Sequence, residues 1–180
     1  MIARGWKWIG AALLVAAVVH GASVLLLPRF IMLRTMAGIV KTAGGANTIT
    51  HAPRATWHSR GVVRPSPDLL YSICVYDLGA ADGAVRVSTH DMPDTYWSVS
   101  VFDADTNNFY ALNDRQAKTG AADFILMPQG KSAGAGQLPV VTAPTSRGIV
   151  LFRTLVNDEG HVAGIDAARH NAACEPFKAD

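Results

Sequence analysis

Side chains alternate most clearly in the stretch Thr95-Tyr96-Trp97-Ser98-Val99-Ser100-Val101-Phe102-Asp103. Successive residues of an extended strand point to opposite faces of a sheet. One face of this stretch carries Trp97, Val99 and Val101. The other face carries Tyr96, Ser98, Ser100 and Phe102. We therefore predict a β-strand whose first face builds part of a hydrophobic core.

Similar short runs recur on both sides of this strand, with turn residues between them. The other predicted strands are residues 69–78, 84–89, 109–112, 124–127, 138–142 and 148–156. The predicted turns are Gly83, Pro93, Asn107-Asn108, Gly130 and residues 131–136. The Ala-rich segment 158–174 has helical spacing, with Asp158 as its N-cap. Seven strands and one closing helix predict a mainly β, compact antiparallel domain.

Residues 8–27 read WIGAALLVAAVVHGASVLLL and contain no formal charge. As an α-helix they span about 30 Å, the thickness of a bilayer core. Arg4, Trp6 and Lys7 flank one end of the run and Arg29 flanks the other. The run is longer than the apolar core of a signal peptide, which has roughly 7 to 15 residues. We predict an uncleaved N-terminal transmembrane helix. The basic residues on its two sides nearly balance, so the positive-inside rule leaves the orientation open.

A basic connector follows the apolar run. Arg34 and Lys41 share one helical face among apolar residues, which predicts an amphipathic or surface-lying helix that ends at Gly44-Gly45-Ala46-Asn47. Residues 48–67 are rich in Pro and Arg and indicate an extended linker or irregular strand. Because these cations directly follow a membrane span, we expect them to lie on the lipid bilayer, and we expect no nucleic-acid partner.

Charge divides the chain at Asp68, its first acidic residue. Residues 1–67 carry eight Lys or Arg, whereas residues 68–180 carry eight basic and fourteen acidic residues. The predicted organisation is a transmembrane anchor at 1–29, the amphipathic helix and basic connector at 30–61, and a β-domain at 62–180. A hydrophobic content of 49% excludes a disordered chain, and two Cys exclude a disulfide-dense miniprotein.

Motifs for catalysis and cofactor binding are incomplete. Gly130-Lys131-Ser132 lacks the upstream Gly of a P-loop, and Gly134-Ala135-Gly136 lacks the third Gly of a dinucleotide fingerprint. The six His have no metal-ligand spacing, and no nucleophile elbow occurs. The sequence therefore predicts no cofactor and no metal, assigns no catalytic residue, and favours a protein that is not an enzyme.

One stretch resembles a calcium loop. Asp103, Asp105, Asn107 and Asp114 occupy loop positions 1, 3, 5 and 12, but Asn108 stands where the turn Gly belongs and the flanks are predicted strands. Asp and Asn also close turns by bonding their own backbone, so a polar β-turn is favoured over a calcium site.

The run Val62-Val63-Arg64-Pro65-Ser66-Pro67-Asp68-Leu69-Leu70-Tyr71-Ser72, followed by Val75-Tyr76-Asp77-Leu78, resembles the opening signature of the DUF1254 family. Ser66 replaces the family Asn, and Leu69 replaces the family Thr. Residues 102–109 and 151–156 are also similar to the family in order and spacing. The resemblance implies a β-sandwich, jelly-roll-like domain. It also implies a link to a DUF1214-type domain, which we expect as a separate membrane-anchored protein because this chain ends at Asp180.

Six polar residues lie at or near the ends of the predicted strands, where sandwich folds carry binding sites. We expect these candidate binding residues near one rim, and they are Asp68, Tyr71, Asp77, Asp103, Asn107 and Arg115. Taken singly, Asp68 and Asp77 are expected to cap turns, Tyr71 to pack, and both Arg115 and Arg153 to pair with acids.

Two functions follow from this arrangement. The first is an accessory or binding module of the cell envelope, in a bacterial-type inner membrane, single-pass, with the β-domain on the periplasmic side. The alternative is a hydrolase or lyase that uses Asp103 and Asp105 as an acid and base pair on one strand face. Cys74 and Cys174 permit a disulfide that closes most of the domain if the domain lies in the periplasm.

Overall fold

The computed structural model describes residues 2–60, 64–117, 119–131 and 138–178, with side chains from residue 5 onward. Its elements in chain order are α1 (Ile2–Ala43), β1 (Ile49–His51), β2 (Leu69–Asp77), β3 (Val85–Ser88), β4 (Trp97–Asp103), β5 (Asn108–Asn113), β6 (Asp123–Pro128), β7 (Val140–Ala143), β8 (Arg147–Leu155), a 3-10 turn (Glu159–His161), α2 (Val162–Arg169) and β9 (Ala173–Pro176). Most of the turn predicted at 131–136 and the Val62-Val63 pair of the family-like run lie outside the described residues.

The strands form two sheets that face each other. One sheet has the order β1-β2-β8-β4-β5, and the other has the order β7-β6-β3-β9. Their facing sides meet in one core, to which Tyr76, Trp97, Phe124 and Phe152 contribute the largest side chains. The predicted mainly β fold with an N-terminal apolar helix and a C-terminal helix is confirmed. The expectation of purely antiparallel pairing is wrong in one place, because β6 and β7 run parallel.

The seven predicted strands are all present, each within two residues of its predicted bounds. The predicted closing helix is too long, because it stops at Arg169 and residues 173–176 form β9 instead. Asp158 caps the 3-10 turn that precedes α2, since its side chain accepts a hydrogen bond from the Gly160 N–H, whereas the N-cap of α2 itself is His161. The sheet also begins before the predicted domain start at residue 62, because β1 pairs with β2.

The helix α1 continues without a break through Pro28, so the connector helix predicted after Pro28 is not a separate element. It contains an 18-residue apolar window, unburied by the rest of the chain, that is long enough to cross a membrane. This segment is a candidate single-pass membrane anchor or signal sequence. Beyond it, Met32 and Met36 are buried with Val75 and Ile149 on the outer side of the five-stranded sheet. The second face of β4 is therefore partly covered by α1.

A disulfide between Cys74 and Cys174 joins the two sheets, because Cys74 lies in β2 and Cys174 in β9. The Cα atoms are 6.4 Å apart, a separation that a disulfide spans without backbone movement. The bond closes a sequence separation of 100 residues, nearly the whole sandwich.

At the end of the sandwich where β2 begins, residues at the C-terminal end of α2 stack on and hydrogen-bond to residues in and next to β1. The ring of His51 stacks on that of His170, with 3.8 Å between ring centroids, and its Nδ1 lies 2.8 Å from the Ser72 Oγ. The Nη1 of Arg169 donates to the backbone oxygens of Ala52 and Tyr71. Burial, followed by the neighbouring charges of His170 and Arg169, lowers the pKa of His51 from 6.5 to about 4.

This lowered pKa predicts acid sensitivity. The folded protein resists protonation of His51, so the contribution of its neutral ring to stability is complete above pH 6.5 and is lost as the pH falls towards 4. We expect the urea midpoint of the full chain in maltoside detergent to fall between pH 6.5 and pH 4.5, and to fall less in His51→Gln. His90→Gln, at an exposed histidine, is the matched control. An equal fall in His51→Gln and the wild type would contradict the assignment.

Candidate functional site

The candidate site is the end of the five-stranded sheet where β2 and β4 finish and β8 begins, which we call the α1 rim. The antiparallel register places Asp77 opposite Arg147, and Asp103 opposite Gly148. The turn between β4 and β5 completes this end of the sheet. The polar residues of the α1 rim are Arg29, Asn47, Asp77, Asp103, Asp105, Asn107, Thr145 and Arg147.

Asp77 is held from three directions. Its Oδ2 lies 2.9 Å from the Nε of Arg147, and its Oδ1 accepts the N–H groups of Gly79 and Ala80 in the following turn. The side chain of Asn47 brackets its backbone, accepting from the Asp77 N–H and donating to its carbonyl oxygen. Asn47 has a φ of 55°, a left-handed conformation that Asn tolerates better than most residues. Asp77 therefore caps a turn, as its sequence context predicts.

Asp103 organises the β4–β5 turn from a buried position. Its Oδ1 accepts the N–H groups of Asp105 and Asn107, and its Oδ2 accepts the side-chain Nδ2 of Asn107. Thr106 takes the positive φ of 72° that closes the turn. Short polar side chains that bond the backbone two to four residues ahead stabilise such turns. The stretch is therefore a polar turn, which is the alternative favoured over a calcium loop.

Asp105 connects this turn to α1. The Nε and Nη2 of Arg29 donate to its two carboxylate oxygens at 2.6 and 2.7 Å, a bidentate pair. Both side chains are more than one third exposed, so water screens the pair and its contribution to stability is small. Arg29 lies two residues beyond the apolar run of residues 8–27, so the pair links the end of that run to the β4–β5 turn.

Beneath the rim, Tyr76 and Gly148 pack directly against each other. A side chain at Gly148 would collide with the ring of Tyr76 and with the carbonyl oxygen of Phe102. Burial raises the pKa of Tyr76 from its ordinary value of 10 to about 12. Thr145 closes the corner, because its Oγ1 donates to the Arg147 carbonyl and accepts the Ala104 N–H.

The six predicted site residues do not share one rim. Asp77, Asp103 and Asn107 lie on the α1 rim, whereas Asp68 and Tyr71 lie at the other end of β2, a strand that separates its ends by about 26 Å. Arg115 follows β5 and lies near the start of β4, because the N–H of its neighbour Asp114 donates to the carbonyl oxygen of Trp97. This is the end of the sheet opposite to the α1 rim. The expectation of a single cluster is wrong, because a nine-residue strand stands between Asp68 and Asp77.

The arrangement offers little for acid–base chemistry. Asp105 lies in the turn rather than on β4, so it does not share a strand face with Asp103 as the hydrolase hypothesis requires. Each carboxylate already accepts hydrogen bonds from the turn or from Arg29. Across residues 2–60, 64–117, 119–131 and 138–178, no group of three His, Cys, Asp or Glu side chains is placed to hold a metal ion.

Four members of the α1 rim are not among the predicted site residues, and they are Arg29, Asn47, Thr145 and Arg147. Arg29 and Asp105 are separated by 76 residues, and Asn47 and Asp77 by 30. No local sequence pattern predicts such pairs, because they depend on how the strands are ordered in the sheet. Only the pairing of a strand end with a turn residue, as at Asp103, leaves a signal in the sequence.

Comparison with known proteins finds one matching protein family and solved structures with a similar fold. The model described as Protein of unknown function (DUF1254) matches residues 46–176. No curated protein matches the sequence. The crystal structure of the VPA0106 protein from Vibrio parahaemolyticus is similar with a TM-score of 0.65 at 13% identity, over 86% of this chain and 37% of that chain. This likeness concerns the fold alone.

An uncharacterised protein from Burkholderia cenocepacia is similar with a TM-score of 0.49 at 17% identity, over 90% of this chain and 42% of that chain. The chain therefore spans about two fifths of the length of the two solved chains that it matches.

Proposed function

The chain belongs to the DUF1254 family, and from this premise we propose that it is a membrane-anchored accessory module of the cell envelope that binds a partner protein. The observation that carries the proposal is the α1 rim itself. Its carboxylates are engaged in turns and ion pairs, and the Arg29–Asp105 pair ties the rim to the apolar helix. A polar surface of this kind suits recognition better than turnover, because it leaves no carboxylate free to move a proton.

We further propose that the helix anchors the protein in a bacterial-type inner membrane and that the sandwich lies in the periplasm. The apolar window of α1 supports a single crossing. The Cys74–Cys174 disulfide supports the periplasmic side, because disulfides persist in oxidising compartments and are rare in the cytosol. The bilayer is then the first partner of the chain.

The proposed protein partner is a DUF1214-type membrane protein. Its motivation is the family resemblance, in which the two domain types accompany each other. The VPA0106 structure adds that a sandwich of this fold occurs within a polypeptide more than twice as long as the matched region. A second domain beside the sandwich is therefore a reasonable arrangement for this fold.

Co-purification tests the partner. The full chain, tagged at its C-terminus, is extracted from membranes with maltoside detergent together with a co-expressed DUF1214-type protein. We expect the two to elute together, and we expect Asp105→Asn to reduce recovery of the partner. Asp123→Asn is the matched control, because Asp123 forms an equivalent bidentate pair with Arg86 on the other sheet. Failure of the wild-type chain to retain the partner would contradict this part of the proposal.

The alternative of a carboxylate-dependent hydrolase or lyase is tested separately. Envelope fractions that contain the wild-type chain are assayed on glycan and ester substrates beside Asp103→Ala. We expect no turnover by the wild type above the Asp103→Ala background, because Asp103 accepts three hydrogen bonds within its own turn. Turnover that disappears in Asp103→Ala would replace the binding proposal.

A further inference from the structure

The helix α1 crosses the outer face of the five-stranded sheet from one edge towards the other. Its Arg29 binds Asp105 in the β4–β5 turn. Farther along the helix, Met32 and Met36 pack on β8 and β2, and α1 also contacts β1. In the strand order β1-β2-β8-β4-β5, these contacts begin at the β5 edge and end at the β1 edge. Because α1 is unbroken, its apolar part projects beyond the β5 edge.

The edge strand β7 of the other sheet lies on the same side of the sandwich as β5. The ring centroids of Tyr110 in β5 and Phe124 in β6 are 4.8 Å apart, so β6 lies beneath β5. The disulfide places β9 beneath β2. The order β7-β6-β3-β9 then puts β7 beyond β6, on the side of β5. These two edge strands form one side of the sandwich, which we call the β5–β7 side.

The β5–β7 side lies at the depth of the lipid headgroups when the apolar run of α1 crosses a bilayer. Arg29 stands two residues beyond Leu27, the end of that run, which is about 3 Å along a helix axis. The headgroup layer is roughly 5 to 7 Å thick on each side of the hydrocarbon core. The β4–β5 turn that binds Arg29 thus falls within this layer, and β5 starts directly after the turn. Because α1 crosses the strands instead of following them, β5 extends along the membrane plane.

Both strands of the β5–β7 side lack charged residues. β5 reads NFYALN and β7 reads VVTA, in which Val140 is 44% exposed. The opposite edges carry His51 in β1 and Glu175 in β9. Proteins usually protect an edge strand with charges or Pro, since its free backbone groups invite pairing with another chain. β5 is six residues long and has neither protection, which favours an edge that is covered in the working protein.

We propose that the β5–β7 side lies on the headgroups of the bilayer that α1 crosses, so that the membrane covers this edge of the sandwich. The proposal rests on the proposed anchoring by α1. The exposed side chain of Val140 gains by leaving water, and the free backbone groups of β5 stay hydrated among headgroups, as they would not in hydrocarbon. The partner is a lipid surface of any headgroup charge, because the two strands carry no charge that would select one.

Fluorescence quenching in vesicles of phosphatidylethanolamine and phosphatidylglycerol tests this contact. The full chain is reconstituted with an environment-sensitive fluorophore on a new thiol in Ala111→Cys or Val140→Cys, two exposed positions. Both native Cys are in the disulfide, so only the new thiol reacts. Glu175→Cys, at an exposed residue of β9, is the matched control. The control lies about 14 Å farther from the membrane, so we expect a nitroxide on the lipid headgroup to quench the two test positions about 2-fold more strongly or better.

A label within α1 separates this contact from the anchoring on which it rests. In Val18→Cys, inside the apolar run, we expect quenching by a nitroxide on the lipid acyl chain. Quenching at Val18 with equal headgroup quenching at Ala111, Val140 and Glu175 would overturn the β5–β7 contact and leave the anchor intact. No quenching at Val18 would overturn both.

The same labels distinguish the membrane from a protein that covers β5. Shielding of the Ala111 fluorophore from aqueous iodide without quenching by the headgroup nitroxide would mean that a second copy or another protein covers the edge, and would overturn the proposal. Replacing phosphatidylglycerol by phosphatidylcholine is expected to leave the quenching at Ala111 and Val140 unchanged, because the two strands are uncharged. Loss of the quenching on this exchange would contradict a contact that ignores headgroup charge. Circular dichroism verifies that each labelled chain is folded.

Discussion

Loss of the Cys74–Cys174 disulfide is expected to lower the free energy of unfolding by about 4 to 5 kcal/mol. The bond closes a loop with a sequence separation of 100 residues, and cross-linking so long a loop strongly restricts the unfolded chain. It also joins β2 to β9, the short strand that ends the four-stranded sheet. Because domains are stable by only about 5 to 15 kcal/mol, much of the stability of the sandwich depends on this bond.

Denaturant unfolding in maltoside detergent, followed by the fluorescence of the tryptophans, measures this loss. The double variant Cys74→Ala, Cys174→Ala removes the bond together with two buried sulfur atoms. The wild type with added reductant keeps those atoms and removes only the cross-link, so the difference between the two isolates the packing contribution. A loss below about 1 kcal/mol in the reduced wild type would contradict the chain-entropy account.

Substitution of Gly148 by alanine is expected to destabilise the protein by about 3 kcal/mol or more. The new methyl group would collide with the carbonyl oxygen of Phe102 on the paired strand β4, and would lie 2.5 Å from the Oη of Tyr76. Neither neighbour can yield easily, since one is backbone and the other is a fully buried ring. The collision lies at the α1 rim, so the rim would be distorted together with the core.

Two further variants test the cause of this effect. Tyr76→Phe removes the hydroxyl but leaves the ring and the Phe102 carbonyl, so combining it with Gly148→Ala should restore only a small part of the loss. Gly164→Ala is the matched control, because its methyl group meets nothing within 4 Å and Ala favours the α2 helix. We expect Gly164→Ala to be neutral or stabilising. Equal unfolding midpoints for Gly148→Ala and the wild type would show that the sheet can open there at no cost.

The strands could be predicted because their pattern is local. Alternation in residues 97–103 reflects a sheet with a core on one side, and short β-rich runs bounded by turn residues indicated the other six strands. β9 was not predicted, because Ala173–Pro176 follows an Ala-rich helix and has no strand pattern of its own. Its pairing with β3 and its disulfide to β2 hold it in the sheet. The parallel pairing of β6 with β7 likewise depends on where the chain returns, which periodicity does not record.

The candidate site was predictable to the same local extent. The Asp103 turn follows from Asp and Asn side chains that bond the backbone next to them. The Arg29–Asp105 pair joins the helix to a turn 76 residues later, so it becomes visible only when α1 is placed on the sheet. Arg153 is a further case. None of the ion pairs among the described residues includes it, so the expectation that it pairs with an acid is wrong for this part of the chain, and its Nη2 donates to the Ser100 Oγ instead.

The central claim is that α1 anchors a disulfide-bonded sandwich in the periplasm. Paired C-terminal fusions test it most directly, one to a phosphatase that is active only after export and one to a fluorescent protein that matures only in the cytoplasm. We predict that the phosphatase fusion is active, that the fluorescent fusion is dark, and that the exported chain stays in the membrane fraction after an alkaline wash. A fluorescent fusion with an inactive phosphatase would place the domain in the cytoplasm and contradict the account. Release of the exported chain by the wash would identify α1 as a cleaved signal sequence.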